Sequence, residues 1–242
     1  MKAPLHALSE CVADWFYPRV CPACGQPSDR PGRHLCWACF QRVELHTQSL
    51  CSLCGHPAEG PVQHAFVCGA CEAAKPAFDK ARAAGHFRGV LRELIHPFKY
   101  GQALWLKRDL ADLLAGCLSA HFSAAEVDVV VPVPLHPVRL RERSYNQAGL
   151  LAKELAARIS RRCDARSLVR IRKTESQTRF DAASRRINTL GAFAVARPEW
   201  VAQRRVLLVD DVMTTGATLS ECARMLKKAG AHQVWAVTVA RG

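Results

Sequence analysis

Apolar positions along the chain recur with two different periods. Leu106, Leu110, Leu113, Leu114, Cys117 and Leu118 fall on one stripe at helical spacing and predict a long amphipathic helix. Leu151, Leu155 and Ile159, spaced by four, predict another over 146–160. The runs Val127-Asp-Val-Val-Val-Pro-Val133 and Val206-Leu-Leu-Val209 are continuous rather than periodic and read as buried strands. Shorter signals place a strand or hairpin in 77–88 and a helix over Val90–His96, with Pro97 ending or kinking it. Strands at Ser167–Arg172 and Gly191–Val195, a helix over Ala217–Ala229 and a last strand at Gln233–Val239 complete the pattern. Strands alternating with helices predict an α/β fold with a mostly parallel sheet flanked by helices. Ligands of such sheets sit at the carboxyl ends of the strands.

Residues 20–75 follow neither period. They are rich in Gly, Pro, His and Cys, and hold eight of the chain's 12 cysteines as four C-x-x-C pairs. The pairs are Cys21/Cys24, Cys36/Cys39, Cys51/Cys54 and Cys68/Cys71. Two intervening residues let a tight turn aim both thiolates at one ion, and a second turn completes the tetrahedron. Gly25 and Gly55 stand where such a turn needs a residue tolerant of positive φ. Eight thiolates predict two structural Zn²⁺ sites, which supply the order this segment cannot obtain from an apolar core. Sequential grouping is the simplest, and spacing alone admits a cross-braced one. His34, His56 and His64 then read as loop residues, and Cys11, Cys117, Cys163 and Cys222 as small apolar packing groups. The boundary is expected at Lys75-Pro76, giving an N-terminal helix and double zinc ribbon in 1–75 and an α/β domain in 76–242.

Length and charge narrow the function classes. A chain of 242 residues can bury a core without disulfide staples. Its longest run without Asp, Glu, Lys or Arg, Leu45–Ala58, is 14 residues, too short to span a bilayer. Glu10 and Asp14 interrupt Leu5, Leu8, Val12 and Trp15 before a secretory core forms, so the expected location is the cytoplasm. The formal charge is +13, and residues 139–205, with seventeen Lys and Arg against six Asp and Glu, carry +11 of it. A solvated basic face is the plainest account, and a polyanionic partner the more specific one.

The segment after Val206–Val209 carries chemistry: Asp210-Asp211-Val212-Met213-Thr214-Thr215-Gly216-Ala217-Thr218, followed at once by a helix. Two carboxylates are expected to emerge where the strand stops. Small and hydroxylated residues then form a turn whose free N–H groups, with the helix N-terminus, cradle a phosphate. A cradle flanked by two carboxylates suits a ligand with both a phosphate and ribose hydroxyls, the latter held directly or through Mg²⁺. This string resembles the 5-phosphoribosyl-1-pyrophosphate (PRPP) motif of type I phosphoribosyltransferases.

Two more segments sharpen the likeness. One is Pro132-Val-Pro-Leu-His136-Pro-Val-Arg139-Leu-Arg141-Glu-Arg143-Ser-Tyr-Asn146-Gln147, which brings three arginines into one loop. The other runs from Arg170-Ile-Arg172-Lys173-Thr174-Glu-Ser176-Gln177-Thr178 through Arg185, Arg186 and Asn188 to Gly191-Ala-Phe193. With the cysteine pairs and Phe98-Lys99-Tyr100-Gly101, they resemble the ComF family of competence proteins over essentially the whole chain. Ser144-Tyr145 stands where Gly-Phe is common, and Met213 where an aromatic is frequent.

The resemblance implies a type I phosphoribosyltransferase fold behind a double zinc ribbon. It implies PRPP binding by Asp210 to Thr218, with Asp210 and Asp211 as the catalytic acids and no sign of which would serve as a base. Leu135, His136 and Arg139 become the pyrophosphate loop. Arg172, Lys173, Gln177, Arg179, Arg185 and Arg186 become a basic flexible loop closing over the diphosphate. Mg²⁺ with PRPP, single-stranded DNA and competence or recombination proteins are the implied cofactor and partners. The alternative is a non-catalytic PRPP-sensing or DNA-handling factor that uses the zinc segment for docking.

Overall fold

The computed structural model describes residues 19–46, 49–58, 60, 62, 64–172 and 187–242. Elements in chain order are α1 (Trp37–Gln41), α2 (Gly69–Ala74), β1 (Lys80–His86), α3 (Gly89–Tyr100), α4 (Lys107–His121), β2 (Val129–Pro132), α5 (Pro137–Arg143) and α6 (Gln147–Arg158). They continue with β3 (Arg162–Cys163), β4 (Leu168–Arg170), β5 (Phe193–Val195), β6 (Arg205–Met213), α7 (Ala217–Lys228) and β7 (Gln233–Arg241). Five strands form one sheet in the order β1-β7-β6-β2-β3, every neighbouring pair parallel. Strands β4 and β5, expected from the sequence, form a separate antiparallel pair.

The unbroken apolar run of β6 has a direct cause. Leu207 and Val209 face a cluster holding Leu110 and Leu114 of α4 and Leu151 and Leu155 of α6. Val206 and Leu208 face the opposite cluster, with Leu219, Cys222 and Leu226 of α7. A strand covered on both faces has no solvent side to make polar. Cys117 and Cys222 are buried in these clusters and Cys163 packs partly against one, as small apolar groups do. Cys11 lies outside the described residues.

Three sequence expectations need correction. The helix placed at Val90–His96 runs through Pro97 to Tyr100. Pro97 forfeits one backbone bond, but burial of Val90, Leu91, Leu94, Ile95 and Phe98 on one face outweighs that loss. The strand expected to stop at Val209 continues to Met213, because β7 is equally long and pairs Asp210 with Thr238, Val212 with Ala240 and Met213 with Arg241. The arginine-bearing loop after β2 is the helix α5. Pro137 opens it, the His136 ring accepts from the Val138 N–H at 3.3 Å, and Ser144 closes it at φ 65°. Ser144 therefore occupies a left-handed position that glycine takes without strain.

The cysteine-rich segment straddles one edge of the sheet. Cys21, Leu35, Cys36 and Cys39 join the cluster on the α4 face, while Cys51, Cys54 and Cys71 join the α7 face. Between them the chain runs along edge strand β1. Leu45 bridges Gly85, the His46 N–H donates to Ala84 O at 3.1 Å, and the His86 N–H donates to Glu44 O at 3.0 Å. These bonds cap a strand edge that would otherwise stay open. The α4 face is fixed by buried Asp109, which accepts from the N–H groups of His34 and Leu35 at 3.1 and 3.2 Å. Arg33 pairs with Asp112 beside it.

The edge contact leaves no room for a side chain at Gly85, where a Cβ would lie 2.4 Å from Glu44 O. Gly85→Ala is expected to cost about 1–3 kcal/mol by forcing these backbones apart. Gly116→Ala, in α4 with nothing within 4 Å of the new Cβ, is expected to stabilise by roughly 0.5–1 kcal/mol. Thermal midpoints moving in opposite directions bear this out, and equal midpoints refute it.

Candidate functional site

Two metal centres lie in the cysteine-rich segment. The sulfurs of Cys21, Cys24, Cys36 and Cys39 all lie within 4.8 Å of one another, as do those of Cys51, Cys54, Cys68 and Cys71. The pairs group in sequence, and the cross-braced arrangement does not occur. Cys24 and Cys36 sulfurs are 3.7 Å apart, and Cys54 and Cys68 sulfurs 3.6 Å. A tetrahedron of Zn–S bonds about 2.3 Å long has edges of about 3.8 Å, so both sets fit zinc. Gly25 and Gly55, at φ 73° and 67°, donate to the carbonyls of Cys21 and Cys51 and close the two turns. Four sulfurs leave no open position, which makes both centres structural.

The second site is a cavity of about 320 Å³ at the carboxyl ends of β2 and β6. Its floor is Asp210 and Asp211, and residues Val212 to Thr218 form one wall. Gly216 caps α7 at φ 77°, which sets the N-terminus of that helix in the cavity wall. Leu135, Arg139 and Arg143 come from the other side, with Arg170 at the end of β4.

The last turn of α3 completes the cavity. Lys99 Nζ lies 2.8 Å from Asp211 Oδ1, with both side chains largely buried. Burial works against the ammonium charge, but Asp211, with Asp210 behind it, more than offsets this and holds Lys99 above the ordinary lysine value. Asp210 accepts from the Asp211 N–H at 2.9 Å. Enclosure and then the charge on Asp211 push the Asp210 carboxyl up to about 7, against the pull of Lys99. The start of α6 fixes Lys99 in place: Tyr145 Oη donates to Phe98 O at 2.6 Å, and Gln147 Nε2 to Lys99 O at 3.2 Å. Asn146 Nδ2 donates to Val133 O at 3.1 Å and ties the same segment to the end of β2.

A profile of the double zinc ribbon domain matches residues 12–72, and one of the phosphoribosyl transferase domain matches residues 107–242. Competence protein F of Haemophilus influenzae is 34% identical over 208 residues, covering 83% of this chain and 88% of that protein. The chain belongs to the ComF family. Other similar proteins are DNA utilization protein YhgH of Salmonella typhimurium, 30% identical over 90% of this chain and 96% of its own, and competence protein ComFC of Bacillus subtilis, 28% identical over 88% and 86%. The fold is that of a type I phosphoribosyltransferase behind a double zinc ribbon.

Within this ComF fold the sequence-derived residues divide clearly. Asp210 to Thr218, Leu135 and Arg139 converge on the cavity. His136 caps α5 and is not among the cavity walls. Arg172 donates to the carbonyls of Asn188 and Leu190 at 3.1 and 2.6 Å, joining the two sides of the β4–β5 excursion at its base. Lys173, Gln177, Arg179, Arg185 and Arg186 lie outside the described residues. Lys99 and Arg170 belong to the site and were not assigned from sequence. The signal for Lys99 is Phe98-Lys99-Tyr100-Gly101, which names no role until the fold sets it against Asp211.

Two measurements follow. Elemental analysis of reduced protein should give two zinc per chain, and a value near zero refutes the ribbon centres. Asp210, raised from 3.8 to about 7, holds its proton in the folded state after the unfolded chain has released it. Stability is therefore lost as pH rises between those values. Asp210→Asn removes that loss, so its thermal midpoint should match the parent near pH 4 and exceed it by a few degrees at pH 8. An advantage independent of pH refutes the assignment.

Proposed function

We propose that this chain binds PRPP in the cavity at the end of β6 and transfers its phosphoribosyl group to a nucleophile. One observation carries the reading: a buried Lys99–Asp211 pair and Asp210 lie beneath a helix-terminal cradle, in a cavity whose other charged walls, among the described residues, are Arg139, Arg143 and Arg170. Thr214 to Thr218 and the N-terminus of α7 take the 5-phosphate. Asp210 and Asp211 accept the ribose hydroxyls and face the positive charge that builds on the ring as the C1′–O bond to diphosphate breaks. Arg139 and Arg143 stabilise the departing diphosphate. The two aspartates offer hard oxygen donors suited to Mg²⁺, which when bound offsets part of the diphosphate charge.

The names of the relatives, competence protein and DNA utilization protein, support a DNA-linked role; single-stranded DNA and competence or recombination proteins are the partners proposed with it. Among the described residues no helix is long and apolar enough to cross a membrane. A cytoplasmic location belongs to the same proposal.

Titrating PRPP with and without Mg²⁺ into the parent and the Asp210→Ala/Asp211→Ala variant tests the site. Affinity should fall at least tenfold in the variant, and equal heats in all four titrations overturn the assignment. Diphosphate release that requires an added acceptor supports transfer, whereas tight binding without release supports a sensor.

A further inference from the structure

Three large aromatic side chains are exposed among the described residues: Trp37 at 50%, Trp105 at 51% and Tyr100 at 62%. They are not scattered. Trp37 opens α1 beside the first zinc centre, Trp105 lies in the turn between α3 and α4, and Tyr100 ends α3 at the mouth of the cavity. His34, from the same zinc loop as Trp37, lies against Trp105 with ring centroids 5.9 Å apart.

The rings are held, which sets them apart from incidental surface residues. The Trp37 backbone N–H donates to Asp29 Oδ1 at 2.8 Å, which anchors the start of α1, and the ring meets Phe40 edge-on at 5.5 Å. Arg30 lies 5.0 Å from the Trp37 ring centroid and 4.4 Å from that of Phe40. Asp109 and Asp112 of α4 pair with Arg30 and Arg33, so the zinc loop cannot drift from the helix that follows Trp105. Arg143 lies 4.9 Å from the Tyr100 centroid. The helix α5 that brings Arg143 to Tyr100 also carries Arg139 and the exposed Arg141, in the segment that holds most of the positive charge.

Rigid aromatic faces alternating with cations are what unpaired bases on a phosphate backbone recognise, because every base has a face to stack and every nucleotide a charge to neutralise. A duplex hides those faces, and an apolar peptide has no use for the arginines. We propose that Trp37, Trp105 and Tyr100 form a track on which a single-stranded nucleic acid lies, leading from the first zinc ribbon to the cavity. The track rests on the proposed DNA-linked role, not on PRPP turnover.

The test is fluorescence anisotropy of a labelled 20-nucleotide thymidine strand with full-length protein, against a 20-base-pair duplex. Trp37→Ala and Trp105→Ala should each weaken strand binding roughly tenfold while leaving its salt slope unchanged, since stacking carries no counterions. Arg141→Ala should flatten that slope. Zinc content and PRPP heats of the two tryptophan variants should match the parent, so failure of the PRPP reading and failure of the track stay distinguishable. Trp37→Phe should recover most of the affinity. Equal affinity for duplex and strand overturns the proposal. So do tryptophan variants within twofold of the parent, or variants that lose only self-association.

Discussion

Two adjacent carboxylates at the end of a buried strand cannot both stay charged without a cation set against them, and this constraint organises the molecule around Lys99. The strand must be apolar to cross a sheet covered on both faces, so the acids at its end have little water to share. Lys99 meets Asp211 at 2.8 Å only because α3 continues one turn beyond Pro97. That turn is clamped by the side chains of Tyr145 and Gln147, and Asn146 between them binds the end of β2. Cavity floor, cation and opposite wall are therefore positioned by one connected set of bonds. The remaining cost falls on Asp210, whose carboxyl is raised by enclosure and by the charge on Asp211.

The zinc segment contributes by covering rather than by chemistry. It lies across edge strand β1, with one centre on each face of the sheet and the connecting backbone bonded along the edge. Metal binding thus does more than order a segment that lacks an apolar core. It closes the sheet on the side from which α3 departs toward the cavity. The absence of a side chain at Gly85 lets the two backbones meet, and buried Asp109 ties down the other flank.

Much of this was legible in the sequence because the signals were local. C-x-x-C pairs, the two continuous apolar runs and the stripe from Leu106 to Leu118 each specify their element without reference to the rest of the chain. The errors arose where tertiary packing overrode a local rule. Pro97 ends a helix in isolation, but not one with Phe98 waiting to be buried beyond it. Val209 ends an apolar run, yet β6 continues to Met213 because β7 offers partners that far. His136 is a pyrophosphate-loop residue by resemblance and a helix cap in the fold. Lys99 carries no sequence mark of its role, since its partner lies more than a hundred residues away.

Arg241 links the second metal centre to the wall of the cavity. It ends β7 in register with Met213, and its guanidinium donates to the carbonyl of Cys54, a ligand of the second centre, at 2.8 Å. The same nitrogen lies 3.7 Å from Met213 Sδ, and the Gly242 N–H donates to Met213 O at 3.0 Å. Met213 is buried, and its sulfur lies 3.6 Å from where a Cβ on Gly216 would stand, so it packs under the turn that forms the cradle. Releasing the second zinc would free the Cys54 carbonyl, unseat Arg241 and remove support from the turn that caps α7. A long aliphatic side chain at 213 suits that place because it fills the gap between guanidinium and glycine while its sulfur meets the N–H. The ordering supplied by four thiolates therefore reaches the proposed phosphate site through one arginine and one methionine.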